Sequence, residues 1–111
     1  MKPISRKVLN YIAAGGRSPF REWIRLQDSG VRARMNVRLR RIEELGNYGD
    51  CEPIGEGVFE LRIDTGPGYR IYFGIDGEQA ILLGAGDKRS QMGDILKAKD
   101  CWKDYHAETD E

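Results

Sequence analysis

The chain has 111 residues, of which 40% are apolar and 32% charged, with 18 Lys/Arg against 18 Asp/Glu; this suits one domain over residues 1–111 with one modest core. Its longest mostly apolar run, Ala80 to Ala85, is far too short to cross a bilayer, and the N-terminus lacks the apolar stretch of a signal peptide, so cytoplasmic placement is the expectation. A single histidine and the lack of a CxxC pair point away from a metal site, no cofactor is expected, and Cys51 and Cys101 read as reduced thiols, although spacing alone leaves a bridge between them open.

The zero net charge hides a split. Residues 1–41 carry eleven Lys/Arg against Glu22 and Asp28, a balance of +9, and residues 42–111 carry the compensating −9. A chain that is neutral overall can still present a basic surface to nucleic acid or to an acidic partner.

In chain order, Lys7 to Ala13 alternates weakly and reads as a first strand ended by Gly15-Gly16. Ser18-Pro19 opens a short helix, with Ser18 as N-cap and Pro19 at the first helical position. Asp28-Ser29-Gly30 breaks it, and Ser29 can cap the next element. Val31, Met35, Leu39, Ile42 and Leu45 recur at helical spacing, with Gly46 placed for a C-cap. The two helices are expected to form an antiparallel hairpin packed on a sheet. A loop with Pro53, Gly55 and Gly57 follows.

Val58 to Asp64 and Tyr69 to Ile75 alternate as strands around the turn Gly66-Pro67-Gly68, and Asp76-Gly77 signals a hairpin. Gln79 to Gly84 is nearly all apolar and reads as the central strand. After a glycine-rich, charged loop to Gln91, a last helix is expected from about Met92 to Tyr105, and residues 106–111 read as a frayed acidic tail. The expected architecture is α+β, in the order βααβββα: an antiparallel sheet of about four strands, an N-terminal helical hairpin and a C-terminal helix, with helices on one face.

Strand alternation then sorts the polar residues. Arg62, Arg70 and Tyr72 share the face opposite Phe59, Leu61, Ile63, Ile71 and Phe73, and Lys88 follows the last strand. If that face is open, these groups converge. Arginine offers a planar fork of donors for phosphate oxygens, and tyrosine a flat surface for an unpaired base. An ordinary solvated sheet face, with Arg62 paired to Glu60 or Asp64, accounts for the same pattern. Arg34, Arg38 and Arg41 line one side of the second helix and suit RNA or an acidic partner, or equally a solvated helix surface. Gly84-Ala85-Gly86-Asp87-Lys88 lacks the spacing of a phosphate-binding loop. His106, the sole histidine, lies close to the C-terminus.

Several longer stretches resemble one family. Pro53 to Ile63 (PIGEGVFELRI) resembles its "GEGVxELRI" segment, and Gly66 to Phe73 (GPGYRIYF) its "GPGYRVYF". Ile81 to Gln91, followed by Asp94-Ile95 and Lys97-Ala98, resembles "LLxGGDKxxQ…DIxxA", and Pro19 to Trp23 resembles "PFxEWL". Together they cover nearly the whole chain in the right order. The chain is thus similar to toxins of the RelE/ParE superfamily, in the addiction module killer (HigB-like) branch of type II toxin–antitoxin systems.

That resemblance implies a RelE-like fold and a cognate antitoxin, often of helix-turn-helix type, that silences the toxin. It implies a metal-independent, ribosome-dependent mRNA endonuclease acting on ribosome-bound mRNA. Carried over by motif position, Arg62, Arg70, Lys88 and Tyr72 would be catalytic and Tyr69 would bind RNA; Arg34, Arg38 and Arg41, taken from the helix face and not from a motif, are the other expected RNA-binding residues. The role in proton transfer does not carry over, because superfamily members differ there. Asp104-Tyr105-His106 resembles a C-terminal tripeptide of some HigB toxins, placed here on a helix. A ParE-like inhibitor of DNA gyrase and a decayed toxin that only binds its antitoxin are the competing expectations.

Overall fold

A computed structural model describes residues 5–109. The elements run β1 (Lys7–Asn10), α1 (Pro19–Arg25), α2 (Ser29–Leu45), β2 (Cys51–Gly55), β3 (Val58–Ile63), β4 (Tyr69–Asp76), β5 (Gln79–Gly86), a 3-10 turn (Lys88–Ser90) and α3 (Gln91–Thr109). The sheet is mixed and five-stranded, in the order β1-β5-β4-β3-β2. This corrects the expected architecture in three respects, and in the faces that the helices cover.

First, β1 pairs in parallel with β5, from Lys7↔Gln79 to Asn10↔Leu82. β5 is therefore interior, but the middle strand is β4. Second, the segment read as a loop contains β2, an edge strand antiparallel to β3. Pro53 lacks an N–H and breaks an interior strand, but an edge strand tolerates it on its unpaired side. The ladder slips between Pro53 and Gly55, and Glu56 and Gly57, at φ 57° and 84°, make a tight turn into β3.

Third, α1 and α2 do not pair as a hairpin. The seven-residue α1 packs on β5, while α2 lies against β1. The start of α1 follows expectation: Ser18 Oγ accepts from the Arg21 N–H at 3.3 Å, with Pro19 next. α2 is capped by Asp28, which accepts from the Val31 N–H at 3.0 Å, so Ser29 is already inside the helix. Gly46 closes α2 in the left-handed conformation.

The helices cover both faces of the sheet, not one. Phe20, Val31, Met35, Leu39 and Ile42 bury one face against Leu61, Ile63, Ile71, Phe73, Ala80 and Leu82. Ala98 and Trp102 of α3 bury the other against Tyr11, Val58, Tyr72, Ile81 and Leu83. Trp102 lies so close to β4 that a Cβ on Gly74 would come within 2.5 Å of its ring. Tyr11 Oη donates to Asp104 at 2.5 Å, and Tyr105 Oη donates to Asp76 at 2.5 Å, fastening the far half of α3. The helix extends through His106 to Thr109, where a frayed tail was expected to begin; residues 110 and 111 lie outside the described residues. Among the described residues no helix is long and apolar enough to cross a membrane.

Candidate functional site: a cationic cleft at one end of the sheet

β3 and β4 set Arg62 directly opposite Arg70, and Glu60 opposite Tyr72. These side chains occupy the face that α3 covers. Because α3 begins only at Gln91, it roofs Tyr72 and Gly74 but leaves the Arg62–Arg70 end open. Arg62 keeps 34% of its side chain exposed and Arg70 11%. Lys88, exposed, lays its stem beside Gly68: a Cβ there would sit 3.8 Å from Lys88 Cδ and 3.3 Å from Arg70 Nη1. Arg62, Arg70, Lys88, Gly68, Asp50 and Asp64 line one cleft of about 230 Å3.

Two cations facing each other across a ladder repel. Glu60 resolves this. It is 1% exposed and accepts from Arg62 Nε at 3.2 Å, with Arg70 Nε at 3.5 Å and Gln91 Nε2 donating at 2.8 Å. A carboxylate buried this deeply is tolerated only with such partners. Arg62 has a second partner on the edge strand, Glu52, at 2.5 Å from Nη2. Hydrogen bonding to Glu60 raises the Arg62 pKa above its ordinary value. Arg70 Nη1 donates to the Gly68 carbonyl at 3.0 Å, which turns its guanidinium toward the β3–β4 loop.

The start of α3 is held to the same end of the sheet. Ser90 Oγ donates to Asp94 Oδ2 at 2.5 Å, and that oxygen rests against Gly86, where a Cβ would fall 1.9 Å from it. Only glycine at position 86 lets the carboxylate approach so closely.

The structure thus brings Arg62, Arg70 and Lys88 together and separates the other expected site residues from them. Tyr72 does not project from an open face. It is 0% exposed, packed under Trp102 and Ala98, and its hydroxyl has no hydrogen-bond partner among the described residues. Burial, then the nearby Glu60 and Asp94, pushes its ionisation well above the ordinary phenol range. Tyr69 lies on the opposite face, edge-on to Trp23 at 6.0 Å. Arg38 is spent on the backbone: it donates to the carbonyls of Arg62, Tyr48 and Asp50, at 2.5, 3.0 and 3.4 Å. Desolvation lowers its pKa. Arg34, on α2, donates to Thr65 Oγ1 in the β3–β4 loop at 2.6 Å and does not line the cleft. Arg41 stands apart on the outer side of α2, beside Val37 and Arg40. His106 packs edge-on against Trp102, on the last turns of α3.

Strand alternation alone places Glu60 on the Arg62 face. Glu52, Gln91 and Asp94 carry no signal, because their roles depend on β2 pairing with β3 and on where α3 starts.

The fold is a small α+β protein whose sheet ends in a cleft lined by Arg62, Arg70 and Lys88 together with Asp50 and Asp64. The family model described as phage-derived protein Gp49-like (DUF891) matches residues 22–100. A protein of Haemophilus influenzae described only as uncharacterized is 43% identical over 82 residues, covering 72% of this chain and 82% of that protein. The chain belongs to the Gp49-like family, a RelE-like toxin family associated with toxin–antitoxin systems. An antitoxin partner is the corollary of that membership.

Proposed function

We propose that this chain is the toxin of a type II toxin–antitoxin pair, of the HigB-like kind, and that it cleaves messenger RNA on the ribosome until its antitoxin covers it. The observation that carries the reading is the convergence of Arg62, Arg70 and Lys88 on one cleft beside Gly68. A phosphate group seated there meets two guanidinium forks and an ammonium in a partly desolvated site. In the reaction, a 2′-hydroxyl gives up its proton to solvent water and attacks the adjacent phosphorus, forming a 2′,3′-cyclic phosphate as the bond to the 5′-oxygen breaks. Arg62 and Arg70 stabilise the charge that builds on the phosphorane oxygens. Lys88, exposed at the cleft mouth, is placed to donate to the leaving oxygen. Tyr72 serves as part of the floor rather than as an acid or base.

One observation favours a second reading. Arg62 is already paired with two carboxylates, and no described tyrosine or histidine reaches the cleft. A protein that binds without chemistry, such as a ParE-like inhibitor of DNA gyrase, needs no proton donor there.

Induced expression without an antitoxin separates these readings. The nuclease reading expects growth arrest with loss of translated messages. Arrest with intact messages, DNA-damage signalling and rescue by excess gyrase supports the second reading, and unimpaired growth identifies a decayed toxin.

A further inference from the structure

Each cation of the cleft reaches Glu60 by a short route. Arg62 donates to one of its oxygens, and the other lies within 3.5 Å of Arg70 Nε and accepts from Gln91. Gln91 is the first residue of α3 and directly follows the 3-10 turn Lys88–Ser90. The bond from Gln91 to Glu60 therefore holds the turn that carries Lys88. No other described carboxylate at the cleft is buried: Asp50, Asp64 and Glu52 are all exposed. At 1% exposed, Glu60 faces the arginines and Gln91 rather than the open cleft.

We propose that Glu60 is the positioning residue of the cleft, one buried carboxylate that sets the placement of all three cations: Arg62 and Arg70 directly, and Lys88 through Gln91 and the 3-10 turn. Its charge offsets the repulsion of the facing arginines; one oxygen accepts a hydrogen bond from Arg62, and the other lies at ion-pair distance from Arg70, whose fork is turned by the Gly68 carbonyl. The carboxylate supplies order while its burial keeps it off the incoming phosphate. The proposal rests on the nuclease reading for its catalytic consequence, but its geometric content stands apart from that reading.

The test uses the intact chain and Glu60→Gln. Glutamine keeps the shape but has one acceptor oxygen, and its NH2 faces a donor. Two readouts are taken. The first is the side-chain Nε–H signals of Arg62 and Arg70 by NMR, which report on the pairing whatever the protein does. In the variant at least one of them is expected to shift and to lose protection from exchange. The second is cleavage of a defined message by purified translating ribosomes. There kcat is expected to fall about tenfold or more, with KM changed less than about threefold, because the cations are misdirected rather than removed.

Unmoved arginine signals, or wild-type kcat, overturn the proposal. If wild type cleaves nothing while the arginine signals of Glu60→Gln still move, the nuclease reading fails and the positioning role stands for another anion. Gln91→Ala supplies the check where Glu60→Gln fails to fold. It leaves both arginines on Glu60 and frees only the Lys88 turn, so a smaller loss of kcat, about threefold, is expected. Wild-type kcat in Gln91→Ala refutes the arm that reaches Lys88.

Discussion

Arg62 and Arg70 face each other across the β3–β4 ladder, an arrangement of like charges that an antiparallel sheet resists unless something lies between them. Glu60 lies between them, and α3 leaves that end of the sheet uncovered. The consequence is a pair of guanidinium groups held close together, with part of their donor capacity still turned to solvent.

Glu52 competes with any incoming phosphate for Arg62. It is 56% exposed and its bond to Arg62 Nη2 is on the surface, so the pair is weak. Glu52→Gln is therefore expected to tighten binding of a short RNA by about two- to fivefold at low salt, measured by fluorescence anisotropy. Weaker binding in this variant would mean that Glu52 orients Arg62 rather than screening it.

Arg38 is expected to matter for stability and not for RNA. Its three carbonyl acceptors tie α2 to the β2–β3 end of the sheet. Arg38→Ala removes the donor from the Arg62 and Tyr48 carbonyls, while the Asp50 carbonyl keeps the Arg62 N–H, and is expected to cost about 1–2 kcal/mol, read by urea denaturation. Unchanged stability together with lost RNA binding would return Arg38 to the RNA-contacting surface.

Two glycines on the sheet make a matched pair. A Cβ on Gly74 meets the Trp102 ring at 2.5 Å, whereas one on Gly84 meets nothing within 4 Å. Gly74→Ala is expected to destabilise the fold by about 1–3 kcal/mol through overpacking, and Gly84→Ala to be close to neutral. Equal effects in thermal unfolding would show that α3 does not sit flat on β4.

Alkaline pH should loosen α3 first. The bond to Asp76, then burial, pushes Tyr105 up to about 12, and Tyr11 is raised too, by burial and by Asp104. Both phenols hold their protons more tightly when folded. Their contribution is thus complete below about pH 10, the ordinary tyrosine value, and is lost as pH rises through the folded-state values. Unfolding midpoints measured from pH 8 to 12 are expected to fall above about 10, and to fall less in Tyr105→Phe. A flat profile would contradict the two Tyr–Asp bonds.

Much of the fold is legible in local pattern. Ser18-Pro19, the spacing from Val31 to Leu45, Gly46, and the alternation of β3 and β4 each specify an element through chemistry confined to a few residues. What escapes is long-range. Nothing local tells β1 to run parallel to β5, since that pairing joins residues 72 positions apart. Pro53 and Gly55 hide β2, because an edge position excuses residues that an interior strand rejects. The site divides in the same way. Alternation puts Glu60, Arg62, Arg70 and Tyr72 on one face, but only the course of α3 determines which end is open. That is why Tyr72, legible as a neighbour of the arginines, proves to be buried beneath Trp102.

The most direct test of the central claim is pulsed expression of this chain without its antitoxin, with RNA 5′ ends mapped beside an Arg70→Ala control. The account predicts new in-frame ends inside translated messages, reduced about a hundredfold or more in the control. Growth arrest with intact messages, or ends that persist unchanged in Arg70→Ala, would contradict it and leave the arginine pair as a structural feature of the sheet.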